Sequence, residues 1–254
     1  MARAYPAQSP VPPLLRAAHE RIIACEACPR LRAYCTGIAQ IRRAAFRDQT
    51  YWARPVPGFG DARARLLVLG LAPAAHGANR TGRVFTGDGV NASGDFLMRA
   101  MMAGGFANRP TSERPDDGLM LTDAYIAAAV RCAPPDNKPT PDEVDTCLAH
   151  LEAELAALAD VRLVVVLGRI AYDAYRRLLR RRGVTLPAAP FGHGHFVDAN
   201  TPVAGRVRAA DMPRVPDVLQ SYHPSRQNTH TGRLTDAMLA SVFIEARRRI
   251  EDGA

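Results

Sequence analysis

The sequence predicts an α/β fold, a three-layer α/β/α single domain around a short, mainly parallel sheet. Two observations predict it: continuous apolar runs of strand length recur along the chain, and segments with apolar residues at helical spacing alternate with them. A third concerns size. With 254 residues, 47% of them hydrophobic and 23% charged, the chain is long enough to bury a full core and too apolar to be disordered.

The elements follow in order. Residues 1–13 carry four prolines and are expected to form a disordered arm, with the single domain spanning 14–254. Residues 14–24 have helical spacing and run into Cys25 and Cys28. Residues 65–72 are a continuous apolar run bounded by Pro73, as expected of a parallel strand buried on both faces. Strands are also predicted over 124–130, 162–167 and 218–221, and helices over 92–103, 141–158, 169–182 and 235–250. Residues 186–216, rich in glycine and proline, are expected to be an irregular loop with one short strand around 191–197.

No apolar run reaches the roughly 18 to 20 residues that cross a bilayer, so no membrane partner is expected. Prolines interrupt the N-terminal stretch where a signal peptide needs an apolar region, which points to the cytoplasm, nucleoid-associated in a prokaryote. Thirty-three basic against 25 acidic residues give a net charge of +8 and favour a polyanionic partner. Lys138 is the only lysine, so 33 − 1 leaves 32 arginines and little amine chemistry.

Four of the five cysteines pair by spacing: Cys25 with Cys28, then Cys132 with Cys147. In a cytosolic chain this is metal-site spacing, and four thiolates suit tetrahedral zinc or a [4Fe-4S] cluster equally well. Such a centre would staple the N-terminal segment, which is counted in the domain, to the middle of the chain. Cys35 is left over and is expected to pack in the core.

In parallel α/β folds ligands bind beyond the carboxyl ends of the strands, so the turns after the strands are where chemistry is sought. The first such turn, from Gly70 through Pro73, His76 and Phe85 to Asp88, is rich in small residues that let backbone groups approach a ligand. It lacks the ending of a P-loop and the spacing of a dinucleotide fingerprint. The last turn, from Ser221 through His223 to Asn228, presents an imidazole and small polar groups from a strand end.

At these residues the chain resembles the uracil-DNA glycosylases, specifically the type-B enzymes, the fifth family of that superfamily, which carry an iron-sulfur cluster. The resemblance rests on residues 70–82, 85–88, 130–135, 137–141, 167–171 and 221–229. It implies a glycosylase that hydrolyses the N-glycosidic bond of uracil in DNA, without strand cleavage. It also implies a [4Fe-4S] cluster on Cys25, Cys28, Cys132 and Cys147, and damaged DNA, duplex or single-stranded, as the partner of a monomer. Leu71 stands where other branches of the superfamily carry an acid or asparagine, and leucine cannot activate water. The resemblance moves the carboxylate to Asp88, which would orient water and offset positive charge on the sugar.

The resemblance further implies that His223 donates to the departing base and that Phe85 stacks on it. Gly70, Ala72, Pro73, Ala74 and His76 would line the pocket, with Asn137 as a further amide. Ser225 would hold a phosphate, while Arg226, Gln227 and Asn228 lie along the minor groove. Ala128 replaces the asparagine that reads uracil in type-A enzymes, which suggests a roomier pocket open to hypoxanthine and other deaminated or damaged bases. Gly89, Val90 and Asn91 are inserted between Asp88 and the helix that carries Asp95, making Asp95 a competitor for the catalytic role. Asp88 is preferred, because an acid in a first helical turn complements the helix dipole. Two rivals remain: a non-catalytic zinc-stapled nucleic-acid-binding module, and a hydrolase or transferase acting on free nucleotides.

Overall fold

In the computed structural model, which describes residues 11–89, 91–201 and 215–253, the apolar runs become the centre of one sheet. In chain order the strands are β1 (Phe59–Gly60), β2 (Leu66–Gly70), β3 (Ala124–Ala128), β4 (Leu163–Leu167), β5 (Phe196–Val197) and β6 (Asp217–Ser221). Among the described residues they order as β1-β3-β2-β4-β6-β5. The four central strands are parallel, in registers that pair Val68 with Ile126 and Val165, and Val165 with Leu219. The two edge strands are two-residue antiparallel additions. Such short edges leave little unpaired backbone for another chain to extend.

Side chains alternate across each strand, and this divides the core in two. Leu67, Leu69, Tyr125, Ala127, Val164, Val166 and Val218 face one layer. That layer is built by helices α1 (Pro13–Ile23), α2 (Pro29–Ile41), α5 (Pro141–Ala157) and α6 (Arg169–Arg181). Leu66, Val68, Ile126, Leu163, Val165 and Leu219 face the other layer, covered by α4 (Ser93–Ala103) and α8 (Asp236–Asp252). Two short helices, α3 (Ala78–Thr81) and α7 (Arg226–His230), lie in the first and last strand-end loops.

The three-layer α/β domain is the predicted one, and the predicted strands and helices stand with their ends shifted by a few residues. Helix α2 was not predicted. Its sequence, PRLRAYCTGIAQI, buries only Leu31 and Cys35, so its apolar signal is faint, while Pro29 at its start supplies the dihedral angle that opens a helix. Helix α7 falls where a loop was expected. Ser225 caps it by accepting from the Asn228 amide. The expected arm lies outside the described residues over 1–10, as does 202–214 of the expected loop.

A buried ionic knot lies inside the first layer. Arg131 and Glu154, each 1% exposed, pair at 2.5 Å. Glu154 also accepts from the Tyr125 hydroxyl at 2.9 Å and from the Gly58 amide at 2.8 Å. His19 on α1 closes the group at 2.7 Å from the Tyr125 oxygen. The knot therefore ties α1, β3 and α5 together through charge that is out of reach of water.

Candidate active site

The carboxyl ends of β2, β4 and β6 open on the same edge of the sheet, and their loops meet there. After β2 the backbone continues to pair with the chain beyond β3, through Ala129 donating to the Gly70 carbonyl and Val130 to the Leu71 carbonyl. Pro73 is buried under this turn, while Ala72, Ala74 and His76 are half-buried along it. The His76 Nδ1 lies 3.0 Å from the Tyr51 hydroxyl.

Phe85 is held at φ 51, a left-handed conformation costly for an aromatic residue. Its ring rests on Gly70, where even a methyl group would fall 2.8 Å from the ring edge. The same ring lies 5.9 Å from the His223 ring at an interplanar angle of 30°. His223 in turn is seated against Gly168, the residue after β4, whose φ of 95 favours glycine and where a Cβ would stand 3.2 Å from the His223 Cβ. Phe85 and His223, far apart in sequence, thus form one half-buried aromatic surface.

Asp88 packs on Gly77 so closely that a Cβ there would lie 1.5 Å from its Oδ1. Burial drives the Asp88 carboxyl up to about 6, against the pull of the Arg80 and Arg226 guanidiniums and with a push from Asp95. Arg80 stitches the loop to itself, donating to the His76 carbonyl at 2.9 Å and the Gly87 carbonyl at 2.7 Å. Burial lowers the His223 imidazole to about 4, so it is neutral at physiological pH and offers one N–H. Among the described residues its ring nitrogens have no hydrogen-bond partner.

The Phe85–Asp88 turn is braced from beneath by residues that sequence reasoning missed. Ser112 accepts from the Gly87 amide through its carbonyl and shares a 2.7 Å hydrogen bond with the Thr86 hydroxyl. Arg83 donates to Ser112 and Thr86 and pairs with Asp117 at 2.7 Å. Asp95, the competitor for the catalytic role, accepts from the Ser112 amide at 3.1 Å and the Asn91 amide at 3.0 Å. Both of its oxygens are thus committed to shaping the loop. Nothing in the local sequence marks Ser112; it lies in a segment that only the fold brings under the turn.

The structure does not gather every expected residue. Asn137 is exposed on a turn at φ 56, and its side chain makes no hydrogen bond among the described residues. Asn228 points inward, donating to the His223 carbonyl at 2.8 Å, so it braces the histidine loop instead of lying along the surface. Ser225 is occupied as a helix cap, whereas Arg226 and Gln227 are exposed. Arg226 reaches to within 3.8 Å of where a Cβ on Gly89 would stand.

The thiol of Cys28 has those of Cys25, Cys132 and Cys147 as its electrostatic neighbours, so the fold brings the four together. Among the described residues no three His, Cys, Asp or Glu side chains stand in metal-holding geometry. Their surroundings nonetheless suit an anionic centre. Arg131, beside Cys147, keeps two buried N–H groups, Nε and Nη1, without a partner. Arg32 lies against Cys132. Unpartnered buried donors are costly, and sulfur acceptors on a tetrathiolate centre would satisfy them. Cys35 is fully buried, its Sγ 3.6 Å from the Ala133 carbonyl oxygen.

The carboxylate of Asp88, the ring of Phe85 and the neutral imidazole of His223 thus come from the loops that follow the parallel strands β2 and β6. The profile of the Uracil DNA glycosylase superfamily matches residues 57–247, and the chain belongs to that superfamily. The chain is 49% identical over 229 residues to a type-5 uracil-DNA glycosylase of Thermus thermophilus, covering 90% of this chain and 95% of the relative. It is 47% identical over 228 residues to a type-5 uracil-DNA glycosylase of Mycobacterium tuberculosis, covering 89% and 78%. Similarity to a type-4 uracil-DNA glycosylase of Pyrobaculum aerophilum is lower, 28% over 173 residues, covering 68% of this chain and 69% of the relative. These names correct the type-B assignment expected from the motifs: the relatives that match nearly the whole chain are called type-5, and the type-4 enzymes are distant.

The Gly77–Asp88 contact makes a direct prediction. Gly77→Ala should displace the carboxylate and lower kcat by roughly 10²-fold or more, the scale on which a positioned acid or base contributes. Affinity for undamaged duplex should stay near wild type, since no phosphate contact changes. Single-turnover base release alongside an equilibrium binding assay checks both halves.

Proposed function

We propose that this chain is a DNA glycosylase that hydrolyses the N-glycosidic bond of uracil in DNA and leaves an intact strand with an abasic site. The observation that carries the reading is the set of residues on the strand-end loops, Asp88 packed on Gly77 and the Phe85 ring beside His223, in a chain nearly half identical to enzymes named for that activity. Such a reaction needs an extruded base, a positioned water and stabilisation of the departing base anion. Phe85 offers the face on which the extruded base stacks. Asp88, ionised above pH 6, orients water and offsets the positive charge that builds on the sugar. His223, already neutral, donates its N–H to a base oxygen as negative charge develops there. Ala128, buried at the end of β3, contributes no amide to read the base, which supports acceptance of hypoxanthine and other damaged bases beside uracil.

Water is taken as the nucleophile because among the described residues no amine is placed to compete. Lys138, the only lysine, is exposed on the turn that holds Asn137. Uracil-containing duplex treated with the protein should yield strand breaks only after alkali, and borohydride should trap no covalent adduct. An adduct that disappears in Lys138→Ala would overturn the hydrolytic mechanism, and failure to release uracil would overturn the reading as a whole.

The four thiols Cys25, Cys28, Cys132 and Cys147 would hold a [4Fe-4S] cluster, a reading supported by their shared neighbourhood and by the two unpartnered donors of Arg131. When bound, such a cluster supplies a staple between the N-terminal segment and the sheet. Anaerobically purified protein should be brown with iron near four per chain, broad absorption near about 400 nm, and Cys25→Ser or Cys132→Ser should lose both. Colourless, folded protein with stoichiometric zinc would replace this reading by the zinc alternative.

A further inference from the structure

Sorting the arginines by ion pairing exposes a pattern that composition hides. Those on helices α6 and α8 are largely paired: Arg177 and Arg181 with Asp145 of α5, Arg169 with Asp173, Arg248 and Arg249 with Glu245. Among the described residues Arg42, Arg43, Arg47 and Arg54 have no ion-pair partner, and all four are exposed. They sit on one short segment between α2 and β1.

That segment is hydrogen-bonded to itself and joined to the loop after β2. It is bracketed by two non-glycine residues in left-handed conformation, Arg42 at φ 55 and Ala53 at φ 54. Arg42 donates to the Arg47 carbonyl at 2.7 Å, and Arg32 to the Ala53 carbonyl at 2.9 Å. The amides of Trp52 and Ala53 donate to the carbonyls of Arg80 and Asn79, each at 2.9 Å. From the other side, Arg80 stacks 4.0 Å over the Phe46 ring, and the Tyr51 hydroxyl meets His76. The His76 imidazole is lowered by burial and then by the neighbouring charges of Arg43 and Arg80. Exposed positive charge is thus carried on a segment joined to the loop that follows β2.

We propose that residues 42–54 form a phosphate-binding flank that holds the DNA backbone beside the pocket, with Arg43, Arg47 and Arg54 as the contacting guanidiniums. The ligand class is the phosphodiester backbone of duplex DNA, bound without regard to sequence. The chemistry fits, because guanidinium groups free of internal carboxylates release counterions when they meet phosphates, and a preorganised segment loses little entropy in doing so. Together with exposed Arg226 and with Arg233, stacked 4.7 Å over Tyr222, the flank would put cations on both sides of the extruded base. This inference rests on the DNA-glycosylase reading.

The test is the salt dependence of binding to a fluorescent undamaged duplex, measured by anisotropy across a series of NaCl concentrations. Each phosphate neutralised contributes about 0.9 to the slope of log K against log salt. Arg43→Gln with Arg47→Gln should therefore lower the magnitude of the slope by about 1.8 and weaken binding at low salt. Arg43→Lys with Arg47→Lys should restore the slope, because the charge and not the packing is at issue. Arg180→Gln, at the far end of α6, should leave it unchanged. A folded double glutamine variant with wild-type slope and affinity would overturn the inference, as would an equal loss in Arg180→Gln. If the double variant does not fold, Arg54→Gln alone should lower the slope by about 0.9. Uracil release by the wild-type chain is measured in parallel, so failure of the glycosylase reading is seen there and failure of the flank in the variants.

Discussion

Asp88→Asn is expected to lose catalysis and gain stability at once. The amide can neither take a proton from water nor balance charge on the sugar, so kcat should fall by roughly 10² to 10⁴-fold while affinity for duplex is retained. The wild-type rate should rise with pH through about 6, where burial has placed the carboxyl, and the residual rate of the variant should be flat across that range. Stability runs the other way. Below the ordinary carboxylate range Asp88 is protonated in both folded and unfolded chains and carries no penalty. As pH rises through about 6 the folded chain must bear a buried charge that the unfolded chain bears in water, so the stabilising contribution present in acid is lost by neutrality. Asp88→Asn removes that cost, and at pH 8 it should be more stable than wild type by on the order of 3 kcal/mol. Urea unfolding at pH 5 and pH 8 checks the sign: a variant less stable than wild type at pH 8 would mean that Asp88 is not buried as described. If instead Asp95→Asn abolished base release while Asp88→Asn did not, the catalytic role would pass to the loop-bracing acid.

The second large effect concerns folding. Glu154→Ala should destabilise the domain by about 3–5 kcal/mol, because it strands Arg131 as an uncompensated charge that is 1% exposed. It also removes the acceptor for Tyr125 and for the Gly58 amide, loosening the join between α1, β3 and α5. Glu154→Gln should cost less, since an amide oxygen still accepts from Tyr125 and Gly58 although the charge pairing is gone. A midpoint of urea unfolding unchanged in both variants would show that the knot contributes specificity without stability. The same measurement bears on the cysteines, because Arg131 lies beside Cys147 and loss of its partner frees it to move.

The strands were legible because burial on both faces leaves a simple signature, an unbroken apolar run, as in residues 66–70 and 163–167. The helices that cover them carry a clear apolar face and were legible for the same reason. Helix α2 was not, because much of its surface faces solvent and only Leu31 and Cys35 are buried along it. The short helix α7 was hidden in a turn whose residues suit a loop equally well, until Ser225 closes on Asn228.

In the site the division is sharper. Chemistry-bearing residues at strand ends, Asp88 and His223 among them, stand out in sequence because a parallel sheet puts its ligands there. What those residues experience is decided by contacts between segments distant in sequence. Gly77 under Asp88, Gly168 behind His223 and Ser112 beneath the Phe85 turn have no local signal, since each acts by its place in space.

By itself the sequence determined the three-layer class, the parallel centre and the two loops that carry the chemistry, because periodicity and residue type are local properties written along the chain. Only the tertiary structure showed that Asp95 braces the loop with both oxygens while Asp88 packs on Gly77, and that the histidine is neutral. It also showed which arginines are unpaired. Desolvation and pairing depend on neighbours that the fold alone brings together, and the same aspartate or arginine reads identically in the sequence whether it is buried, bound or free.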